Sequence, residues 1–301
     1  MMVVTRSHHP PALTAPKGPD TTLAGAGRPY RSAMPYKVYL WDALNAIEWS
    51  QAAWRIGGND ASTENCTVEM IHDVLLAHLP KDGLIVDAGC GTAKWPIYLG
   101  RAGYRCVGVE ISHEACLAAR AVDPTLRLVR GDTRRAPLAT GCADAVLSLG
   151  VVEHDEAGPE AGLRELRRLL KPGGLLVLAV PFNNLFRRLV VNHLQRWVTW
   201  RRRRARMSLG FAEYRFSLRE VRRHLADAGF ELVTSYPNDL HPPKVMGLWV
   251  DNDNLVVNPL VGADPDRLFV LPGWKGRLAR LALDHAPWLV CGEAAFIARA
   301  R

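Results

Sequence analysis

The chain lacks any run of about 18 apolar residues, so a membrane-spanning helix is not expected. Its N-terminal stretch lacks a basic region leading into an apolar block and a cleavage site, which argues against a secretory leader and for the cytoplasm. CxxC pairs are missing, and so is any His/Cys cluster at ligand spacing. The six cysteines, Cys66, Cys90, Cys106, Cys116, Cys142 and Cys291, therefore read as small reduced core residues rather than disulfides or a zinc site, and no metal is expected. Acid is absent from one stretch in particular. Residues 185–206, LFRRLVVNHLQRWVTWRRRRAR, hold eight arginines and no carboxylate, so the formal charge of +8 is a local patch on an otherwise balanced chain.

What is present is an ordinary globular composition. With 301 residues, 48% hydrophobic and 23% charged, the chain can bury one large core. Residues 1–33 are rich in Pro, Gly, Thr and His without a hydrophobic period, and are expected to be disordered. Met34 opens the first patterned segment, so part of that tail is expected to be a start-site artefact. Residues 39–79 carry helical patterns, with Val68, Ile71, Val74, Leu75 and Leu79 on one face, and residues 34–67 read as a helical cap. From Leu84 onward, LIVDA, RCVGVE, LRLV, DAVLSL and GLLVLAV alternate with helical segments near 93–102, 112–121 and 159–170. Near-continuous apolar strands alternating with helices indicate a parallel sheet covered on both faces, an α/β fold. A helix stopped by Gly229, a strand FELVTSY and a final strand AAFIARA follow, separated by insertions at 182–212 and 237–292.

Within LIVDAGCGTAKWPIYL, Gly89 and Gly91 sit between a strand and a helix, where a ligand meets free backbone N–H groups beyond the carboxyl ends of parallel strands. A dinucleotide fingerprint would need Gly or Ala at position 94, which is lysine. DAGCGT instead resembles motif I of the class I S-adenosylmethionine-dependent methyltransferases. Further elements match that family in order: Glu110 ending the second strand in VGVEIS, twenty-three residues past Asp87; GDTRRAPL after the third; SLGVVEHDE after the fourth; and RRLLKPGGLLVLAVP with its turn at Pro172, Gly173 and Gly174. One departure is Ala93, where many members have a third glycine. Another is the absence of an Asp/Asn-Pro-Pro-Tyr motif, which argues against the branch that methylates DNA-base or glutamine amines. GVVEH looks like the small-molecule branch that includes quinone-biosynthesis and natural-product enzymes.

The resemblance implies a Rossmann-like, seven-stranded sheet, six strands parallel and the last antiparallel. It also implies S-adenosylmethionine held by Asp87, Gly89, Cys90, Gly91, Glu110, Ile111, Asp132, Thr133, Leu149 and Gly150. Glu110 would take the ribose hydroxyls, since two carboxylate oxygens match two vicinal hydroxyls; capping of the helix starting at Ser112 is its other reading. Asp132 and Thr133 would meet the adenine edge, and Leu149 and Gly150 the methionine amine. His154 and Glu153 are the candidate catalytic groups: a histidine suits general-base work near neutral pH, or it closes the pocket. Methyl transfer to a good nucleophile needs mainly alignment, so an obligatory base is not required. Tyr39, Trp41, Trp49 and Trp54 read as packing of the cap or as an aromatic lid; Tyr39, Trp41 and Trp54, with Tyr214, Tyr236 and His241, are the candidate acceptor contacts.

The activity implied is methyl transfer to an O, N or C nucleophile of a small-molecule acceptor. Three readings of the basic segment stand: a solvated lid, an interfacial amphipathic helix on anionic lipid, and an RNA phosphate grip through Arg201, Arg202, Arg203 and Arg204. The second makes the protein peripheral to the membrane with a lipid-linked or prenylated acceptor. The third lacks a recognisable RNA-binding module. A retired adaptor would not need the intact Asp87, Gly89, Gly91 and Glu110 set.

Overall fold

The computed structural model describes residues 35–41, 63–206, 209–254 and 269–301. The tail over residues 1–33, Trp49 and Trp54 lie outside the described residues. The described residues form one compact unit.

Its centre is a seven-stranded sheet of β2 (Leu84–Ala88), β3 (Arg105–Glu110), β4 (Leu128–Arg130), β5 (Ala143–Leu149), β6 (Leu170–Pro181), β8 (Phe230–Asn238) and β9 (Glu293–Ala300). Spatial order is β4-β3-β2-β5-β6-β9-β8, and only β9 runs antiparallel to its neighbours. The expected fold, six strands parallel and the last reversed, is therefore present.

Alternate residues of each strand feed opposite layers, which is why the strands are apolar throughout. One layer packs Val86, Val146, Leu176, Leu178 and Phe296 with Leu163 and Leu166 of α4 (Glu160–Leu169) and Val221 and Leu225 of α6 (Leu218–Asp227). The other packs Ile85, Leu147, Val177 and Ile297 with Ile71 and Leu75 of α1 (Ile71–His78) and Trp95 and Leu99 of α2 (Lys94–Arg101). Each such side chain contributes roughly 1.5–3 kcal/mol of burial. Local chemistry sets the ends. Ser112 Oγ accepts from Ala115 N to start α3 (His113–Val122), and Ser217 and Glu220 close a capping box on α6. Gly229, at φ +83°, stops α6 as expected.

The cap differs from the expectation. Tyr36–Trp41 is a strand, β1, paired antiparallel with β7 (Leu209–Arg215) in a separate two-stranded sheet. The aromatic and β-branched content of YKVYLW fits a pleated surface, and its partner lies some 170 residues away, beyond any local window. Among the described residues, the helical pattern is found downstream, in the 3₁₀ turn Thr63–Val68 and in α1.

The basic insertion is a helix entered through a π-type turn, Arg187–Val191, and continued as α5 (Asn192–Arg204). The later insertion supplies α7 (Met246–Asn254), α8 (Gly273–His285) and α9 (Pro287–Val290). A buried charge network ties the pieces together. Asp251 of α7 meets Arg187 Nε at 2.7 Å and Arg215 Nη1 of β7 at 2.9 Å, the second contact off the hydrogen-bonding angle; Glu213 Oε1 accepts from Arg215 Nε at 3.2 Å. Asp239 performs a similar service after β8: its carboxylate accepts from the backbone N–H groups of Leu240, Met246, Gly247 and Gly292.

Candidate active site at the carboxyl end of the sheet

The turn after β2 is built by three left-handed residues, Gly89 at φ +86°, Gly91 at +56° and Ala93 at +62°. Gly89 satisfies a second demand. A Cβ there would lie 2.5 Å from Val151 Cγ2, so the loop after β5 closes directly on this turn. Gly89 N and Cys90 N both donate to the Val109 carbonyl, at 2.8 and 3.1 Å, which sews the turn to β3. Ala93 is fully buried at the first turn of α2, and its left-handed backbone carries strain that glycine would relieve.

Glu110, at the end of β3, is 5% exposed and locks the site: Oε2 accepts from Gly91 N and Oε1 from Ser112 N, both at 2.8 Å. Each oxygen spends one lone pair on these bonds and keeps another. The two readings of Glu110 thus coexist: it bonds the backbone beside α3 and retains acceptor capacity for a pair of vicinal hydroxyls. Ile111, next to it, is 42% exposed, an apolar plate at the mouth of the turn.

Asp87 is buried, and burial pushes its carboxyl up to about 7 even though the Lys94 ammonium pulls the other way. Lys94 is itself paired with Glu69, a contact that sequence reasoning missed; its signal is a lone cation opening the otherwise apolar helix KWPIYL. Burial raises the Cys90 thiol far above its usual range, so Cys90 is an inert neutral packing group.

Around the neighbouring loops the placements diverge. The Asp132 carboxylate is bound by Arg134 through its backbone N, Nε and Nη2 at 2.7–3.1 Å, and that bonding lowers its pKa. Arg134 thus already occupies the group assigned to the adenine edge; Thr133 beside it is half-buried. Leu149 ends β5, and Gly150, at φ +71°, donates to the Ala179 carbonyl at 3.0 Å. Glu153 is 1% exposed with Oε2 lacking any hydrogen-bond partner, and burial drives its pKa well upward. His154 Nδ1 lies 2.7 Å from the Ala212 carbonyl of β7. A carbonyl only accepts, so the proton is on Nδ1 in the neutral ring and the Nε2 lone pair lies 3.9 Å from Glu153 Oε1. Glu293 at the start of β9, another residue that sequence reasoning did not single out, accepts from Asn238 Nδ2; burial, then the Glu153 and Glu69 carboxylates, push it up to about 8.

Among the candidate acceptor contacts, Tyr39 and Tyr214 both pack against Phe211. Tyr214 is fully buried with its hydroxyl donated to the Glu156 carbonyl, a packing role that leaves no surface for an acceptor. Tyr236 pairs with His78, His241 sits exposed with its backbone N on Val68 O, and Tyr39 stacks edge-on to Phe211 under Arg203. Trp41 belongs to β1, and Trp54 lies outside the described residues.

Glu110 thus cross-links the glycine turn after β2 to the start of α3 at the carboxyl end of the parallel sheet, where open α/β sheets hold their ligands. Residues 86–178 match the model of a methyltransferase domain. The chain is 36% identical to the malonyl-[acyl-carrier protein] O-methyltransferase of Pectobacterium atrosepticum over 35% of this chain and 42% of that one. It is 37% identical to the demethylmenaquinone methyltransferase of Mycolicibacterium vanbaalenii over 37% and 49%. It is 30% identical to the ubiquinone biosynthesis O-methyltransferase of a Caulobacter species over 52% and 67%. The chain spans about half the length of the first two of these relatives. Among solved structures, the methyltransferase in a complex with its activator from Haloferax volcanii superposes with a TM-score of 0.53 at 20% identity, covering 85% of this chain and 97% of that one, a likeness of fold. The chain belongs to the class I S-adenosylmethionine-dependent methyltransferases.

Proposed function

We propose that this protein transfers a methyl group from S-adenosylmethionine to a small-molecule acceptor, with an oxygen nucleophile as the first choice among O, N and C. The observation that carries the cofactor half is Glu110, anchored by Gly91 N and Ser112 N yet retaining one acceptor lone pair on each oxygen for the ribose hydroxyls. The oxygen nucleophile rests on two relatives whose names specify O-methylation.

When bound, the cofactor supplies a methyl group already activated on a sulfonium. The residues of the chain then have to bind, align and handle one proton. Gly89 and Gly91 would hold the methionine end, Ile111 the base, and Leu149 and Gly150 the amine. The His154 tautomer set by Ala212 directs the Nε2 lone pair as the proton acceptor for an acceptor hydroxyl. With that group in place, Nε2 would take the proton of the acceptor hydroxyl as its oxygen is methylated. Glu153 then lies beside the imidazolium. Alignment supplies most of the rate in this scheme.

Calorimetric titration with S-adenosylhomocysteine tests the reading. Micromolar binding that weakens at least tenfold in Glu110→Gln, a variant that keeps a carbonyl acceptor for the turn, supports it. Absence of binding to the wild type ends it.

A further inference from the structure

Helices on a globular surface turn their apolar face inward. The helix over residues 185–204 does the reverse. Its buried side carries Arg187, Asn192 and Gln195 with Val191, while Leu189 (66% exposed), Trp197 (53%), Trp200 (52%), Leu194, Phe186 and Leu185 face solvent. The polar underside is engaged: Arg187 is held by Asp251, and Asn192 donates to Asn183 while its carbonyl accepts from the Tyr36 hydroxyl. Helix α8 also exposes an apolar stripe. Trp274 (64% exposed), Leu278 and Leu281 form a stripe at i, i+4 and i+7, opposite buried Ala279 and Leu283 and flanked by Lys275, Arg277 and Arg280.

The first stripe starts at the carboxyl end of the sheet. Residue 185 follows the end of β6, and α9 leads into the start of β9, where Pro181 and Glu293 are register partners. Asn184 Nδ2 donates to the Cys291 carbonyl and Arg187 Nη1 to the Gly292 carbonyl, at 2.9 and 2.7 Å, so the start of the helix over residues 185–204 is bonded to the two residues between α9 and β9 at the carboxyl end of the sheet.

Charge selects the occupant. Arg188, Arg196, Arg201, Arg203, Arg204 and Arg206 are exposed around the first stripe, which has no acid. Two of them stack on its tryptophans, Arg201 over Trp197 and Arg204 over Trp200, each 5.0 Å from a ring. A second copy of the chain would set arginine against arginine, and a nucleic acid has no use for a leucine and valine stripe. An anionic bilayer accepts both parts, the apolar residues at the acyl boundary and the guanidinium groups among phosphates. We propose that the helix over residues 185–204 docks this protein on an anionic lipid surface. The carboxyl end of the sheet is thereby held close to the bilayer, and the acceptor is a lipid-like molecule drawn from it. The acceptor clause rests on the proposed methyl transfer; the docking clause does not.

The test floats the full-length protein with vesicles of phosphatidylcholine alone and with phosphatidylglycerol added. The expected result is recovery with the anionic vesicles only, weakened by raised salt. Arg188→Gln/Arg201→Gln/Arg204→Gln is expected to lower partitioning roughly 100-fold, and Trp197→Ser/Trp200→Ser at least tenfold. S-adenosylhomocysteine binding should persist in both variants, which reports their folding and keeps the two readings apart. Equal recovery on both vesicle types, none on either, or a concentration-dependent dimer abolished by the tryptophan variant overturns the proposal.

Discussion

The half of the sheet from β2 to β6 and the cover made by β1, the basic helix, β7 and α7 are held by different means. In the first, neighbours in sequence are neighbours in space: Glu110 reaches Ser112 two residues on and Gly91 nineteen back. In the cover, Arg187 and Asp251 are 64 residues apart and β1 meets a strand from beyond the motif region. Local rules build a site cheaply, and distant charge pairs then fasten a variable roof over it.

The sharpest way to separate the two is Asp251→Ala. It leaves Arg187 buried without its paired carboxylate and Arg215 with Glu213 alone, and is expected to cost about 3–5 kcal/mol in denaturant unfolding. If the cover is fastened as described, the variant also gains protease sensitivity in the cover before the sheet half is cut.

His154 spans the two regions through Ala212. His154→Ala is expected to lower kcat about 100-fold, some 2.7 kcal/mol, with S-adenosylhomocysteine affinity unchanged. A loss of affinity instead would assign His154 to holding β7 in place.

Glu293 stands where the sheet passes into the cover. Its folded pKa of about 8 lies above the ordinary 4.5, so across that interval the folded chain holds a proton that the unfolded chain has released. Stability from this group therefore falls as pH rises from about 4.5 to about 8. Glu293→Gln, which still accepts from Asn238, should flatten the decline and raise the melting temperature by a few degrees at pH 8 relative to wild type; identical pH profiles would refute the assignment.

The smallest effect belongs to the motif half. Ala93→Gly removes the left-handed strain at the cost of glycine's chain entropy, and is expected to stabilise by about 0.5 kcal/mol, read as a small rise in melting temperature.

The contrast also explains what is legible in the sequence. LIVDA, RCVGVE and GLLVLAV are apolar on both faces because helices cover both faces, and a short window records that. Asp87, Gly89, Gly91 and Glu110 are legible because the turn, the close approach to Val151 and the reach to Ser112 each dictate a residue type. YKVYLW reads as part of a helical cap although its composition is that of a strand, since pairing with β7 leaves no trace within the segment. Glu293 and the Lys94–Glu69 pair escape notice because a single buried charge has no periodicity, and Tyr214 misleads because an aromatic near a site is equally a core residue.

The polar underside of the basic helix has a practical consequence. To hide Trp197 and Trp200 the helix would have to roll, and rolling would pull Arg187 away from Asp251, Phe182 and Gly292. The greasy side is thus permanently on offer. In plain buffer the purified protein should stick to surfaces and lose yield on concentration, and a mild detergent should rescue it.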